Sequence, residues 1–330
     1  KLTNNKLNVV ELFAGVGGFR LGLEKADKNF FDTIWANQWE PARKSQDAFE
    51  CYTKNFSTGE HVNKDIATIS DEVFQQLNAD LLVGGFPCQD YSVARSLSGE
   101  KGIQGKKGVL FWQIERVIEN TQPKYVLLEN VDRLLKSPSK QRGRDFGVML
   151  GTFRNLGYSV EWRGINAADY GFPQRRRRVF IFAYKNGIVY ERKQRDIKSK
   201  EIVFNEGFFA KPFPVKDEPS KNREAYDEIE VDRVEISDYF SLVFHNPGIM
   251  RKGKIYTAQV NPIAAPPTPL KDILLEEKQV KNSYYLTKKD EEKFAYLRGP
   301  KKIPRTSANG HTYIFSEGGM SPTDDINKPG

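Results

Sequence analysis

Cysteine is scarce: Cys51 and Cys88 are the only two in 330 residues. Two thiols make no disulfide framework, and a reducing compartment fits. No apolar run is long enough to cross a bilayer. The opening stretch KLTNNKLNVV lacks the apolar h-region of a secretory signal. No internal repeat occurs, which sets aside repeat architectures. The dinucleotide fingerprint is missing too: Gly15, Gly17 and Gly18 follow an apolar run, but residue 20 is arginine where G-x-G-x-x-G requires glycine. These absences predict a soluble intracellular chain with no membrane partner.

What is present is globular in kind, with 38% hydrophobic and 28% charged residues. A net charge of +8 admits a polyanionic partner without requiring one. Through about residue 185 strand-like and helix-like segments alternate. NVVELF, DTIWAN, ADLLVGGF, KYVLLENV, YSVEWRGI and RRVFIFAYK read as strands. Between them, Leu110, Phe111, Ile114, Val117 and Ile118 share one face of a helix over 108–121, and DFGVMLGTFRNLG ends a second helix at Gly157. Such alternation predicts an α/β fold with a doubly wound, mostly parallel sheet. Beyond it the pattern dissolves: 191–240 is net acidic, 241–330 net basic, and NPIAAPPTPL is Pro-rich. A domain over 1–190 and a second, smaller, irregular one over 191–330 are expected.

The chemistry-bearing residues fall at strand ends, where open α/β sheets put their sites. The Gly-rich turn in ELFAGVGGF lets a ligand approach the backbone and suits a cofactor without a pyrophosphate, such as S-adenosylmethionine. Trp39, Glu40 and Asp65 follow the next strands; acids there accept from ribose hydroxyls or an adenine amino group, and the indole offers a stacking face. Cys88 sits in the turn GGFPCQ, where a reactive thiol and a small buried hydrophobe are both open readings. Glu129 closes a very apolar strand, either solvated at its mouth or held dry as a hydrogen-bond donor. In QRRRR, strand alternation puts Arg176 and Arg178 on one face and Arg175 and Arg177 on the other.

FAGVGG, GGFPCQ, ENV and QRRRR, in this order and spacing over roughly residues 8–185, resemble the cytosine-5 DNA methyltransferases of bacterial restriction–modification systems. The resemblance implies the S-adenosylmethionine-dependent methyltransferase fold followed by a DNA-recognition domain. It implies methyl transfer from S-adenosylmethionine to C5 of a cytosine flipped out of double-stranded DNA. Cys88 is then the nucleophile that adds to C6, Glu129 engages N3, and Arg178 with Arg176 supports the ring O2 and the thiolate. Phe13, Gly15, Val16, Gly18, Trp39, Asp65, Ile66, Pro87 and Leu110 would line the cofactor pocket. Phe86, through its carbonyl, would recognise the cytosine amino group, with Gln89 and Asn130 also on the substrate side.

Two departures stand out. Many members carry an acid just before the tryptophan; here Gln38 precedes Trp39 and Glu40 follows it, so the ribose contact is open between the two. No GNSV-like segment follows, so the chain is expected to stop within the target-recognition region or just past it and to bind cofactor poorly alone. By analogy the family implies a cognate restriction endonuclease in the same system and a cytoplasmic, nucleoid-associated location in a bacterium. A catalytically weak DNA-binding fragment and methylation of RNA are the competing readings. The Cys-Phe-Thr signature of the RNA-methylating branch is absent.

Overall fold

Val9, Val10 and Leu12 are apolar and extended, and β1 (Leu7–Leu12) is buried from Val9 onward. The computed structural model describes residues 6–86, 110–138, 140–218, 223–229, 239–307, 310–319 and 325–330. Helices alternate with strands after β1. They are α1 (Gly18–Asp27), β2 (Phe31–Asn37), α2 (Asp47–Asn55), β3 (Glu60–Val62), α3 (Asp71–Gln75), β4 (Leu81–Gly85), α4 (Leu110–Thr121) and β5 (Tyr125–Val131). Then come α5 (Arg144–Asn155), β6 (Tyr158–Asn166) and β7 (Arg177–Lys185). α4 buries Phe111, Ile114, Val117 and Ile118, the face that the residue spacing predicts.

Three more strands, β8 (Glu224–Glu228), β9 (Gly248–Arg251) and β10 (Lys254–Ala258), complete a ten-stranded sheet. Its order is β3-β2-β1-β4-β5-β7-β6-β9-β10-β8. The first five strands in that order pair in parallel, and β7 enters antiparallel to β5. This is the doubly wound sheet of the S-adenosylmethionine-dependent methyltransferase fold. Parallel strands put all their carboxyl ends on one edge, so residues 13–18, 38–40, 65, 86 and 129–131 leave the sheet on the same side.

The sheet does not stop at Lys185. β9 pairs antiparallel with β6 through Val160–Met250 and Trp162–Gly248, and turns into β10 at Lys252-Gly253. Both turn residues have positive φ, 52° and 89°, the two-residue hairpin geometry. The polar segment from 189 to 213 packs here because β6 carries two buried charges that it must satisfy. Glu161 accepts from the Tyr190 hydroxyl at 3.0 Å and the Phe208 amide at 2.8 Å. Burial pushes its carboxyl up to about 7. Arg163 donates to the carbonyls of Phe213 and Val203 at 2.8 and 2.6 Å. A charged sequence thus becomes ordered cover over the sheet.

The chain forms two compact units, one running to Ile165 and resuming over Arg177–Ile263, the other made of Asn166–Arg176 and Ala264–Gly330. Residue 190 lies inside the first. The second unit holds α6 (Lys288–Arg298), which buries no side chain, and the hairpin β11 (Lys301–Thr306) with β12 (Thr312–Glu317). Among the described residues no helix is long and apolar enough to cross a membrane.

Candidate active site

The glycine turn is built by what surrounds it. Phe13 takes a positive φ of 53°, a strained state for an aromatic residue. The Ala14 amide donates to the Asn37 carbonyl at 3.0 Å and the Gly15 amide to Gln38 Oε1 at 2.7 Å. Gln38 is therefore buried and engaged in holding the turn. At Gly17 (φ 90°) a Cβ would stand 2.3 Å from the Phe56 ring, so the turn closes there only with glycine. At Gly15 and Gly18 a Cβ would meet nothing within 4 Å: that side of the backbone faces open space.

The neighbouring strand ends converge on this turn. The Asn63 side chain donates to the Gln38 carbonyl, and that of Asn37 to the Lys64 carbonyl at 2.9 Å. Val16 is 60% and Trp39 37% exposed beside them. The Glu40 carboxylate is partly exposed, with Arg43 at 3.8 Å. Asp65 caps the following turn through Oδ1, which accepts from the Ala67 amide at 3.0 Å. Phe13, Ile66, Phe86 and Leu110 belong to one apolar cluster. An open glycine backbone, an exposed indole, two strand-end carboxylates and apolar side chains suit the adenosine and amino-acid parts of S-adenosylmethionine. Of the two residues flanking Trp39, Glu40 has a carboxylate at hand, whereas Gln38 is already engaged.

Under the turn lies a buried polar strut that none of the strand-end motifs includes. Glu11 on β1 is fully buried and accepts from the Tyr52 hydroxyl at 2.8 Å. Arg20, 2% exposed, reaches the same hydroxyl at 3.3 Å, the Thr58 carbonyl at 3.0 Å and Glu24 at 2.9 Å. Its guanidinium lies 4.5 Å from the Phe56 ring centre. The strut ties β1, α1 and α2 to the loop before β3. A charged residue in the apolar run VVELF, followed by an arginine where the helix should be apolar, is the signal that identifies it.

Burial raises the Glu11 carboxyl from 4.5 to about 7, against the opposing pull of Tyr52 and Arg20. A carboxyl raised on folding holds a proton that the unfolded chain has lost. It therefore withdraws stability as pH rises from about 4.5 to 7 and no further above. Tyr52→Phe is expected to cost about 1 kcal/mol at pH 5.5, where Glu11 is mostly neutral, and about 3 kcal/mol at pH 8, where the carboxylate loses its donor. Urea unfolding at both pH values measures the difference; equal losses would show that Glu11 does not titrate in this range.

The second half of the site lies across β4, β5 and β7. Gly85 pairs with Glu129, and a Cβ on Gly85 would stand 3.3 Å from Glu129 Oε2. Arg178, paired with Val131, brings Nε to 2.7 Å from Glu129 Oε1. The pair is about one-quarter exposed on each side. Asn130, on the other face of β5, is buried; its Nδ2 donates to the Phe86 carbonyl at 3.1 Å and its Oδ1 accepts from the Val131 amide at 2.8 Å. Asn130 thus braces the Phe86 carbonyl, which keeps a second lone pair. Arg176 precedes β7 in the other unit, where its carbonyl accepts from the Ala167 amide at 3.1 Å. Pro87, Cys88 and Gln89 lie outside the described residues.

A carboxylate locked to an arginine ends a strand beside the one that leads into Pro-Cys-Gln, two strands from β1 and its open glycine turn. Comparison with known proteins decides the lineage: the family described as C-5 cytosine-specific DNA methylase matches residues 7–314. The chain belongs to that family. Members similar to it include the type II methyltransferase M.Sau3AI of Staphylococcus aureus, 59% identical over 98% of this chain and 78% of that protein. Others are M.HhaI of Haemophilus parahaemolyticus, 34% identical over 55% of this chain and 50% of that protein, and M.NgoBI of Neisseria gonorrhoeae, 35% over 55% and 51%. The chain thus spans about half the length of the latter two.

Proposed function

We propose that the chain methylates C5 of cytosine in a specific double-stranded DNA sequence, with S-adenosylmethionine as the methyl source. The observation that supports this most directly is the β4–β5 register. It places the Arg178-locked Glu129 carboxylate beside Gly85, three residues before Cys88.

Cytosine C5 is a poor nucleophile, and each residue answers a part of that difficulty. The Cys88 thiolate gives its electron pair to C6, and the ring electrons move toward N3. Glu129 hydrogen-bonds or protonates N3 as charge develops there. Arg178 keeps the carboxyl oriented and, with Arg176, adds positive potential near the ring O2. C5, now enamine-like, takes the methyl group. S-adenosylmethionine would supply that methyl from its sulfonium, the S–CH3 bond breaking to leave a neutral thioether. The C5 proton then leaves to solvent, and the C6–S bond breaks to return the thiolate. The target atom is hidden in a stacked duplex, so the base must be extruded first.

Cofactor holding is assigned to Phe13, Gly15, Val16, Gly18, Trp39, Asp65, Ile66, Pro87 and Leu110, with Glu40 rather than Gln38 on the ribose. Phe86 and Gln89 are assigned to the base, with Asn130 supporting the Phe86 carbonyl. Target recognition is assigned to residues beyond 190, above all to the second unit. A restriction endonuclease of the same system and a bacterial cytoplasmic setting complete the reading. Bisulfite sequencing of DNA from cells expressing the gene tests it: one protected cytosine in one sequence context is the expected result. Unmethylated DNA alongside soluble folded protein would overturn it.

A further inference from the structure

The connection that leaves β5 beside Glu129 carries four cations whose arrangement the chemistry above does not use. Residues 132–136 form a 3-10 turn. Side chains three apart eclipse in such a turn, so Arg133 and Lys136 share one face while Leu134 and Leu135 point inward. Both leucines are buried, 3% and 4% exposed, whereas Arg133 and Lys136 are exposed. The next bend repeats the division. Gln141 turns inward and donates to the Phe240 carbonyl at 3.0 Å, while Lys140 and Arg142 on either side are exposed.

The track is held from beneath. Ser137 donates to the buried Asp145 carboxylate at 2.6 Å, and the Asp145 amide returns to the Ser137 carbonyl at 3.2 Å. The Arg142 carbonyl accepts from the Leu242 amide at 3.1 Å. Among the described residues none of the four cations is in an ion pair, while nearby Arg144 is paired with Asp145. A firmly based row of unpaired cations, starting four residues after Glu129, has a charge and a place that need explaining. Exposed cations more often sit opposite acids or scatter.

We propose that Arg133, Lys136, Lys140 and Arg142 bind backbone phosphates of duplex DNA beside the target cytosine. This rests on the reading of the chain as a DNA methyltransferase. The track reads no sequence; it sets the register of the duplex against Glu129, as phosphate contacts do.

The test is the salt dependence of binding to a fluorescent, mixed-sequence duplex, followed by anisotropy. Each phosphate contact adds roughly 0.9 to the slope of log affinity against log salt. The variant R133Q/K136Q/K140Q/R142Q should flatten that slope by roughly 3 to 4. Between 50 and 200 mM salt, the native chain's affinity advantage over it should shrink about a hundredfold. A charge-matched control, K6Q/K25Q/K28Q/K54Q, removes exposed cations that lie before β1 and at or beyond the last turns of α1 and α2. It should keep the native slope. Sequence context in bisulfite sequencing should be unchanged for both variants, since neither touches base readout. Equal flattening in both variants, or a change of less than one in the track variant while DNA is still bound and methylated, overturns the track alone. A native chain that neither binds nor methylates DNA overturns the track and the function together.

Discussion

Cys88→Ser is expected to abolish methylation while leaving the fold and most DNA binding in place. The hydroxyl matches the thiol in shape but is far less acidic, so it offers no anion to C6 at neutral pH. Losses on the order of 10⁴-fold or more accompany removal of a covalent nucleophile. The bond can also be caught directly. DNA bearing 5-fluorocytosine at the target accepts the thiol and the methyl group, but fluorine cannot leave as a proton, so elimination stalls and the adduct persists. Peptide mapping should place that adduct on Cys88. Cys51 is the internal control, since it lies on α2 with its sulfur 3.5 Å from the Asn55 amide. An adduct on Cys51, or none with an enzyme that methylates ordinary DNA, would sink the assignment.

Glu129→Gln is expected to slow the chemical step by about 10²–10⁴-fold, the usual contribution of a positioned acid or base. Glutamine keeps the shape and can still accept from Arg178, whose Nε is 2.7 Å from Glu129 Oε1. What it loses is the capacity to give and recover a proton at N3. The loss should therefore appear in single-turnover methylation with cofactor and DNA saturating, and little of it in DNA affinity. An unchanged single-turnover rate would leave Glu129 as a structural partner of Arg178 only.

The sheet was legible because its signal is local. Short apolar runs leading into glycines mark β1 and β4, and the 3.6-residue spacing of Phe111, Ile114, Val117 and Ile118 marks α4. The carboxyl-edge position of Glu129 followed from the same reading. β8 to β10 were not legible, because GIMRKGKIYTA is short and polar and its pairing partner, β6, lies some ninety residues earlier. Nor did the chain order disclose that Gln38 would hold Gly15 and leave the Glu40 carboxylate partly exposed. That choice depends on where β2 ends relative to the turn, a register that only tertiary pairing fixes. Arg176 illustrates the limit of alternation: β7 begins at Arg177, so the period-two argument reaches Arg178 and stops short of Arg176.

Anyone grafting a foreign recognition module onto this protein meets a constraint set by β9. A chimera joined near residue 190 would strip β8, β9 and β10 from the sheet and leave β6 as a bare edge, an open template for aggregation. It would also remove the partners of Glu161 and Arg163, leaving two buried charges without their hydrogen bonds. Joining after Ile263 instead, and carrying Asn166–Arg176 with the transplanted piece, keeps the ten strands together and moves a compact body whole. Exchanging the second unit is thus a matter of two spliced segments rather than one tail.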